Sequence, residues 1–274
     1  VLEKLQYKNH MNEVLEFGTK DLFVNENDLR DFAWELTSKN NRISGFKRVI
    51  VSKKLPVLIK AKTEAEGYRL RDRLFEVFEK DVLAEKHGEI IIGDYHMKCF
   101  VTASGKSEYL KAKSYMKNNL TVKTDMPYWV KETTTRFNYN ASQATGTNMD
   151  YNRDFPSDYA SNLINASLIN SNFVSSNFKM MIYGACSNPV VTIAGHNYAV
   201  NVSVAENEYL TINSIDQTII LTHSDGSTEN CFNLRNRDSY IFEKIPAGVL
   251  TIASSANFKF DVVLLEERSE PKWA

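Results

Sequence analysis

Residues 63–102 read TEAEGYRLRDRLFEVFEKDVLAEKHGEIIIGDYHMKCFVT, a helix signature that runs directly into a hairpin signature. Thr63 and Glu66 have the spacing of a capping box, in which the N-cap hydroxyl accepts from a backbone N–H and the carboxylate reaches back. Leu70, Leu74, Phe75, Val77, Phe78, Val82 and Leu83 then recur mainly at steps of three and four, while Arg71, Asp72, Arg73, Glu76, Glu79 and Lys80 fill the other face. Lys86, His87 and Gly88 predict the end of the helix, with Gly88 in the left-handed C′ position and the basic residues at the negative end of the dipole. Ile90, Ile91 and Ile92, a Gly93-Asp94 turn and the alternating stretch from Tyr95 to Thr102 then form two antiparallel strands.

Working outward, Val49 to Lys60 reads as a strand before the helix. Leu120 to Thr124 reads as one after the hairpin, and Pro127, which lacks an N–H for the ladder, ends it. Short turns rather than helices join these strands, so the first half is expected to be an α+β unit with one helix packed on an antiparallel sheet. A parallel nucleotide-binding sheet is excluded. Residues 137–152 are dominated by Asn, Ser, Thr and Gly and read as a connector. Beyond it the pattern is all-β: Tyr198, Val200, Val202 and Val204 alternate with Ala199, Asn201 and Ser203 in one expected strand. Further strands are expected at Tyr209 to Ile212, Thr218 to Thr222, Glu229 to Phe232 and Tyr240 to Phe242, and another pair after Pro246-Ala247-Gly248. That spacing suits a sandwich. The predicted domains are therefore 1–136 and 153–274.

The 274 residues, 43% hydrophobic and 24% charged, suffice for two cores. Lys plus Arg number 33 against 34 Asp plus Glu, a net charge of -1 that offers no basic excess for a dedicated nucleic-acid binder. Cutting after Arg136 gives 25 basic and 20 acidic residues, then 8 and 14, so the halves carry +5 and -6. No apolar run approaches the length of a membrane span. The stretch VLEKLQYKNHMNE lacks the apolar core of a signal peptide, so folding in a cytoplasm is expected, with Cys99, Cys186 and Cys231 as reduced, mostly packed thiols.

Catalytic constellations are missing from the pattern. The five histidines form no HxxxH or HxH pair, and neither a GxSxG elbow nor a GxxxxGK[ST] phosphate loop occurs. No catalytic residue, metal ligand or cofactor site is therefore assigned, and the chain is not expected to be an enzyme. His196, in Ala194-Gly195-His196-Asn197-Tyr198, reads as a turn-edge histidine bonded to backbone. Glu206 with Glu208, and Glu266-Glu267 with Glu270, read as solvated surface rather than as a glycosidase pair or a calcium site. Asp225-Gly226 reads as hairpin chemistry. The Asn-x-Ser/Thr sequons at Asn119, Asn140, Asn165 and Asn201 are expected by chance in a chain this rich in Asn and Ser. The aromatic residues, Trp34, Trp129 and Trp273 among them, are assigned to core and domain-interface packing.

Taken together, several blocks carry a resemblance that runs end to end. In the first half they are Asn25-Glu26-Asn27-Asp28-Leu29-Arg30-Asp31-Phe32, Asn40-Asn41-Arg42-Ile43-Ser44-Gly45-Phe46, and the run from Arg71-Asp72-Arg73-Leu74-Phe75 to Gly93-Asp94-Tyr95. In the second they are Asn152-Arg153-Asp154-Phe155-Pro156, Lys179-Met180-Met181-Ile182-Tyr183-Gly184, Phe242-Glu243-Lys244-Ile245-Pro246-Ala247-Gly248 and Glu266-Glu267-Arg268-Ser269-Glu270-Pro271-Lys272-Trp273. The chain resembles the distal tail (Dit) protein family of siphophages that infect Gram-positive bacteria. The resemblance implies a tail-tube-like first domain assembled as a homohexameric ring and a galectin-like β-sandwich as the second. It implies a place in the virion at the distal end of the tail, after assembly in the host cytoplasm. The implied partners are the major tail tube protein and a tail-associated lysin, tail fibre or receptor-binding protein, with genomic DNA passing through the ring without sequence-specific contact. The galectin sugar motif has no recognisable counterpart.

A cyclic ring needs two different patches on each subunit. The apolar segment from Ile43 to Phe46, flanked by Arg42, Lys47 and Arg48, is the expected source of one, making Arg42, Ile43, Phe46 and Arg48 the candidate interface residues. Two other function classes remain. A carbohydrate-binding module contacting host cell-wall glycans predicts an exposed aromatic platform on the second domain. A wall-degrading enzyme predicts two carboxylates about 5 to 9 Å apart in a cleft.

Overall fold

The computed structural model describes residues 4–19, 21–24, 26–107, 115–138, 166–255 and 257–273. The protein is mostly β, with one α-helix among the described residues. Two compact units emerge: Val1–Lys131 with Glu267–Ala274, and Glu132–Glu266. Residues 267–274, which the sequence reading ran on with the second domain, group with the first unit. The expected connector lies, beyond Asn138, outside the described residues, as do the sequons at Asn140 and Asn165 and the block from Asn152 to Pro156.

In the first unit every strand pairing is antiparallel. Val14–Phe17 pairs Leu5–Lys8, which pairs Gly88–Ile92, which pairs the first half of Tyr95–Ser107. The second half of that long strand pairs Tyr115–Thr124, which pairs Val51–Lys60, which pairs Leu22–Val24. Alternation places Tyr7, Ile90, Met97, Cys99, Leu55, Val57, Ile59, Leu120 and Val122 in one core, each no more than 1% exposed. The three short strands before residue 25 have no counterpart in the expected set.

The helix spans Glu64–Ala84 with Thr63 as N-cap, its hydroxyl accepting from the Glu66 N–H at 3.2 Å. Glu66 reaches back one residue further than a standard box, accepting from the Lys62 N–H at 3.2 Å. Leu74, Val77 and Phe78 face the sheet, and Phe78 meets Tyr7 edge to face at 4.8 Å. Phe75, Val82 and Leu83, expected on that face, are exposed. At about 100° per residue they lie well round the helix from Leu74 and Phe78, so a run that looked like one broad stripe divides. The expected end is also corrected. Glu85, not Gly88, takes the left-handed position (φ 52°), and no basic residue occupies the last turn. Gly88 instead starts a strand at a point where a Cβ would lie 2.2 Å from Tyr7 Oη and 2.3 Å from Asp81 Oδ2.

Among the described residues the second unit has two larger antiparallel sheets besides a two-stranded one. One runs Thr228–Asn230, Thr218–Thr222, Tyr209–Asn213, Asn177–Tyr183 and Phe260–Arg268. The other runs Ala166–Asn170, Gly248–Ser254, Val190–Ile193 and His196–Ala199. Their inward residues, among them Phe178, Met180, Leu210, Ile219, Leu168, Val191 and Ile252, share one core. The strand expected from Tyr198 to Val204 is broken. Its first part pairs Val190–Ile193, and Ser203–Val204 pairs Cys186–Ser187 instead. Between the two, Val200 N–H donates to the Pro189 carbonyl and Asn201 N–H to the Leu234 carbonyl, bonds that no period-two pattern reveals. Phe232–Leu234 is a 3-10 turn and Tyr240 to Phe242 is not a strand.

Candidate functional site

The segment from Phe32 to Ile50 is where the first unit departs from its own logic. Glu35–Lys39 and Arg42–Lys47 form a two-stranded antiparallel hairpin closed by Asn40 and Asn41, whose φ values of 53° and 59° are those a type I′ turn demands. Every residue of the two strands except Gly45 is exposed. A register shift after Thr37 then does something that spacing alone conceals. Ile43 and Phe46 are three apart and should point to opposite faces, yet Ser38 pairs Ile43 and Leu36 pairs Phe46. Since paired residues share a face, and Leu36 and Ser38 are two apart, the bulge brings Ile43 and Phe46 to one side with Leu36. Ile43 is 61% exposed, Phe46 62% and Leu36 58%.

The cations are arranged around this stripe. Arg48, at the root, lies over the Trp34 ring at 4.7 Å and the Tyr128 ring at 5.0 Å. Lys47 pairs with Glu35 at 3.2 Å. Arg42 stands directly opposite Lys39 beside the turn. The structure thus brings Ile43 and Phe46 together, sets Arg42 at the tip and leaves Arg48 engaged at the base. Leu36 went unremarked in the sequence and Trp34 was assigned to packing, although Phe32, Trp34 and Leu36 alternate at two-residue steps ahead of the block that begins at Asn40.

Next to the root of the hairpin, within the same unit, lies an open groove of about 1020 Å³. Arg30 organises its wall, donating from Nη1 to the Pro271 carbonyl at 2.7 Å, approaching Glu270 at 3.8 Å and lying 3.9 Å from the centre of the Trp273 ring. The neighbouring backbone is pinned by Lys53, whose ammonium donates to the carbonyls of Asp28 and Asp31. Burial pushes the pKa of Lys53 down, with Asp28 and Asp31 opposing the shift. Trp34 and Trp273 are therefore exposed and covered by arginines, whereas Trp129 is a core residue.

The other sequence candidates have local roles. His196 Nε2 contacts the Tyr240 carbonyl at 2.9 Å. Glu208 accepts from the Ala205 N–H at 3.1 Å and bonds His223 Nδ1 at 2.8 Å, which holds Glu208 below the usual carboxylate range and raises His223. Asp225 accepts from the Ser227 N–H and hydroxyl across a turn with Gly226 at φ 84°. Burial raises the pKa of all three thiols, and each is free. No group of three His, Cys, Asp or Glu among the described residues could hold a metal ion. No helix among them is long and apolar enough to cross a membrane.

No protein-family model matches the chain, and no curated protein does. Solved structures do. The Dit protein of phage SPP1, described as a paradigm of the hub adsorption apparatus in phages infecting Gram-positive bacteria, matches with a TM-score of 0.61 at 9% identity, over 98% of this chain and 100% of that one. The chain has the fold of a phage tail hub protein. Chains of the phage P2 baseplate in its activated conformation, in one structure with Ca and in another with Sr, match with a TM-score of 0.62 at 12% identity. They cover 99% of this chain and are themselves covered completely.

Proposed function

We propose that the protein is a structural hub at the distal end of a phage tail, a ring of identical subunits that joins the tail tube to a lysin, fibre or receptor-binding apparatus. In this reading the first unit is the tail-tube-like ring former, the second is a galectin-like sandwich at the periphery, and DNA passes through the channel. The ring is built in the host cytoplasm and its role is assembly rather than catalysis. The hub-like fold supports the reading at the level of the chain.

The observation that carries it is the hairpin. A lone two-stranded ribbon is at best marginally stable in water, and this one exposes Leu36, Ile43 and Phe46 together. Covering them against a neighbour supplies the second layer that the ribbon lacks. Arg42, Ile43, Phe46 and Arg48 are the proposed interface, and we add Trp34 and Leu36, which are exposed on the same segment.

Light scattering across a concentration series tests this. The wild-type chain of 31.3 kDa should give a discrete multimer, consistent with closed cyclic symmetry, and an Ile43→Asp and Phe46→Asp double variant should give single chains with unchanged circular dichroism. A wild type that is monomeric at every concentration overturns the ring. A double variant that assembles like wild type removes the hairpin from the interface.

A further inference from the structure

From the charge and shape of two separate surfaces we infer that the hairpin of one subunit seats in the groove beside Arg30 of the next, so that the contact is head to tail. This rests on the ring reading and supplies what that reading leaves open, the identity of the second patch. The hairpin from Ala33 to Ile50 carries four cations, Lys39, Arg42, Lys47 and Arg48, and one acid, Glu35. Lys47 and Arg48 have partners within the unit. Lys39 and Arg42 have none among the described residues, and they face each other across the strands. Like charges directly opposite repel, so the tip is stabilised by an acidic surface.

The groove offers one. Its rim carries Glu26, Asp31 and Glu270, and its apolar lining includes Phe32, Ile92 and Trp273. Glu26 and Asp31 are exposed. The groove's own cation, Arg30, is taken up by Glu270, the Pro271 carbonyl and the Trp273 ring, which leaves Glu26 and Asp31 as the exposed acids facing an apolar stripe edged by cations. The occupant cannot be the subunit's own hairpin. Asp31 and Phe32 belong to the root of that hairpin, whereas its tip lies about 20 Å along the strand, at roughly 3.3 Å per residue over Arg42–Lys47. A second copy is the partner that satisfies both surfaces.

Paired charge reversals test this. One variant carries Lys39→Glu and Arg42→Glu and so has an acidic tip and an acidic groove. The other carries Glu26→Lys and Asp31→Lys and so has a basic tip and a basic groove. All four positions are exposed, and both tip residues change together, so the like-charge pair is kept. Because Asp31 also faces the buried Lys53, both variants are required to keep the wild-type circular dichroism and urea midpoint, and Glu26→Lys alone replaces the groove variant if Asp31→Lys does not. Each variant alone should scatter as a single chain, and an equimolar mixture should recover the wild-type multimer by alternating the two. Variants that each assemble as well as wild type overturn the groove contact and leave the ring standing. Variants that fail alone and also fail when mixed overturn it too. A monomeric wild type would instead overturn the ring itself.

Discussion

Replacing Gly88 with alanine puts the packing of the first unit to its hardest test. The Cβ it adds would lie 2.2 Å from Tyr7 Oη, 2.6 Å from Tyr7 Cζ and 2.3 Å from Asp81 Oδ2. Tyr7 and Asp81 are both fully buried and hydrogen-bonded to each other at 2.6 Å. Asp81 also holds His10, through Nδ1 at 2.6 Å and the backbone N–H at 2.9 Å. Neither side chain can swing into water, so each must retreat by on the order of 1 Å to reach ordinary contact distance. Overpacking costs about 1–3 kcal/mol and a buried polar group left unpaired about 1–3 kcal/mol more, for a total of about 2–6 kcal/mol. Domain stability is typically about 5–15 kcal/mol. The assay is a urea titration followed by tryptophan fluorescence, which reports on the first unit because Trp34, Trp129 and Trp273 all lie in it. Gly105→Ala is the control, since its Cβ would meet nothing closer than the Asn119 carbonyl oxygen at 3.8 Å. If Gly88→Ala unfolds within about 0.5 kcal/mol of wild type, as an innocuous surface change does, then this glycine is not there for close approach.

Two further outcomes are expected. Thr63→Ala removes the acceptor for the Glu66 N–H and should lower the stability of the first unit by about 1 kcal/mol, read by the same titration; no change would mean that Glu66 alone secures the helix start. The Glu208–His223 bond makes stability pH-dependent. A raised His223 contributes fully below its unfolded pKa of about 6.5, and that contribution is lost as pH rises through its folded value. A lowered Glu208 contributes above its unfolded value of about 4.3 and is lost on acidification. The pair therefore supports the fold most between these limits, and the Tm of wild type should fall more between about pH 6 and about pH 8 than that of His223→Gln. Equal falls would discard the linkage.

What the sequence made legible was local. The helix and the hairpin after it follow from a cap, a 3.6-residue period and a Gly-Asp turn, each contained in a few neighbouring residues. The misplaced helix end shows where that stops. Gly88 looked like a cap because it follows Lys86 and His87, but its use is set by Tyr7, which pairs with Ile90 from the far end of the unit. Leu5–Lys8, Val14–Phe17 and Leu22–Val24 are three or four residues long, too short for a period of two to stand out. At the proposed interface the composition was visible in Arg42, Ile43, Phe46 and Arg48, but the bulge that puts Ile43 and Phe46 on one face was not. The groove was hidden altogether, because Arg30 and Trp273 meet only in the fold.

The sign of the charges also decides which symmetry the hairpin can serve. Of the 19 large apolar side chains exposed among the described residues, six lie between Phe32 and Ile50, more than in any other described stretch of that length. Apolar stripes alone would pair just as well with themselves and give an isologous dimer, in which one patch meets its own copy. Such a contact would set four cations against four with a single acid on each side, and like-charge juxtaposition across an interface costs several kcal/mol. The same cations placed against the groove meet Glu26 and Asp31 instead, Glu270 being already beside Arg30. Self-pairing is thus opposed by repulsion and head-to-tail contact favoured by attraction. A head-to-tail contact has no two-fold end point. It closes only when the rotation per subunit completes a circle, so in the proposed ring the basic tip would oppose two-fold self-pairing as well as hold neighbouring subunits together.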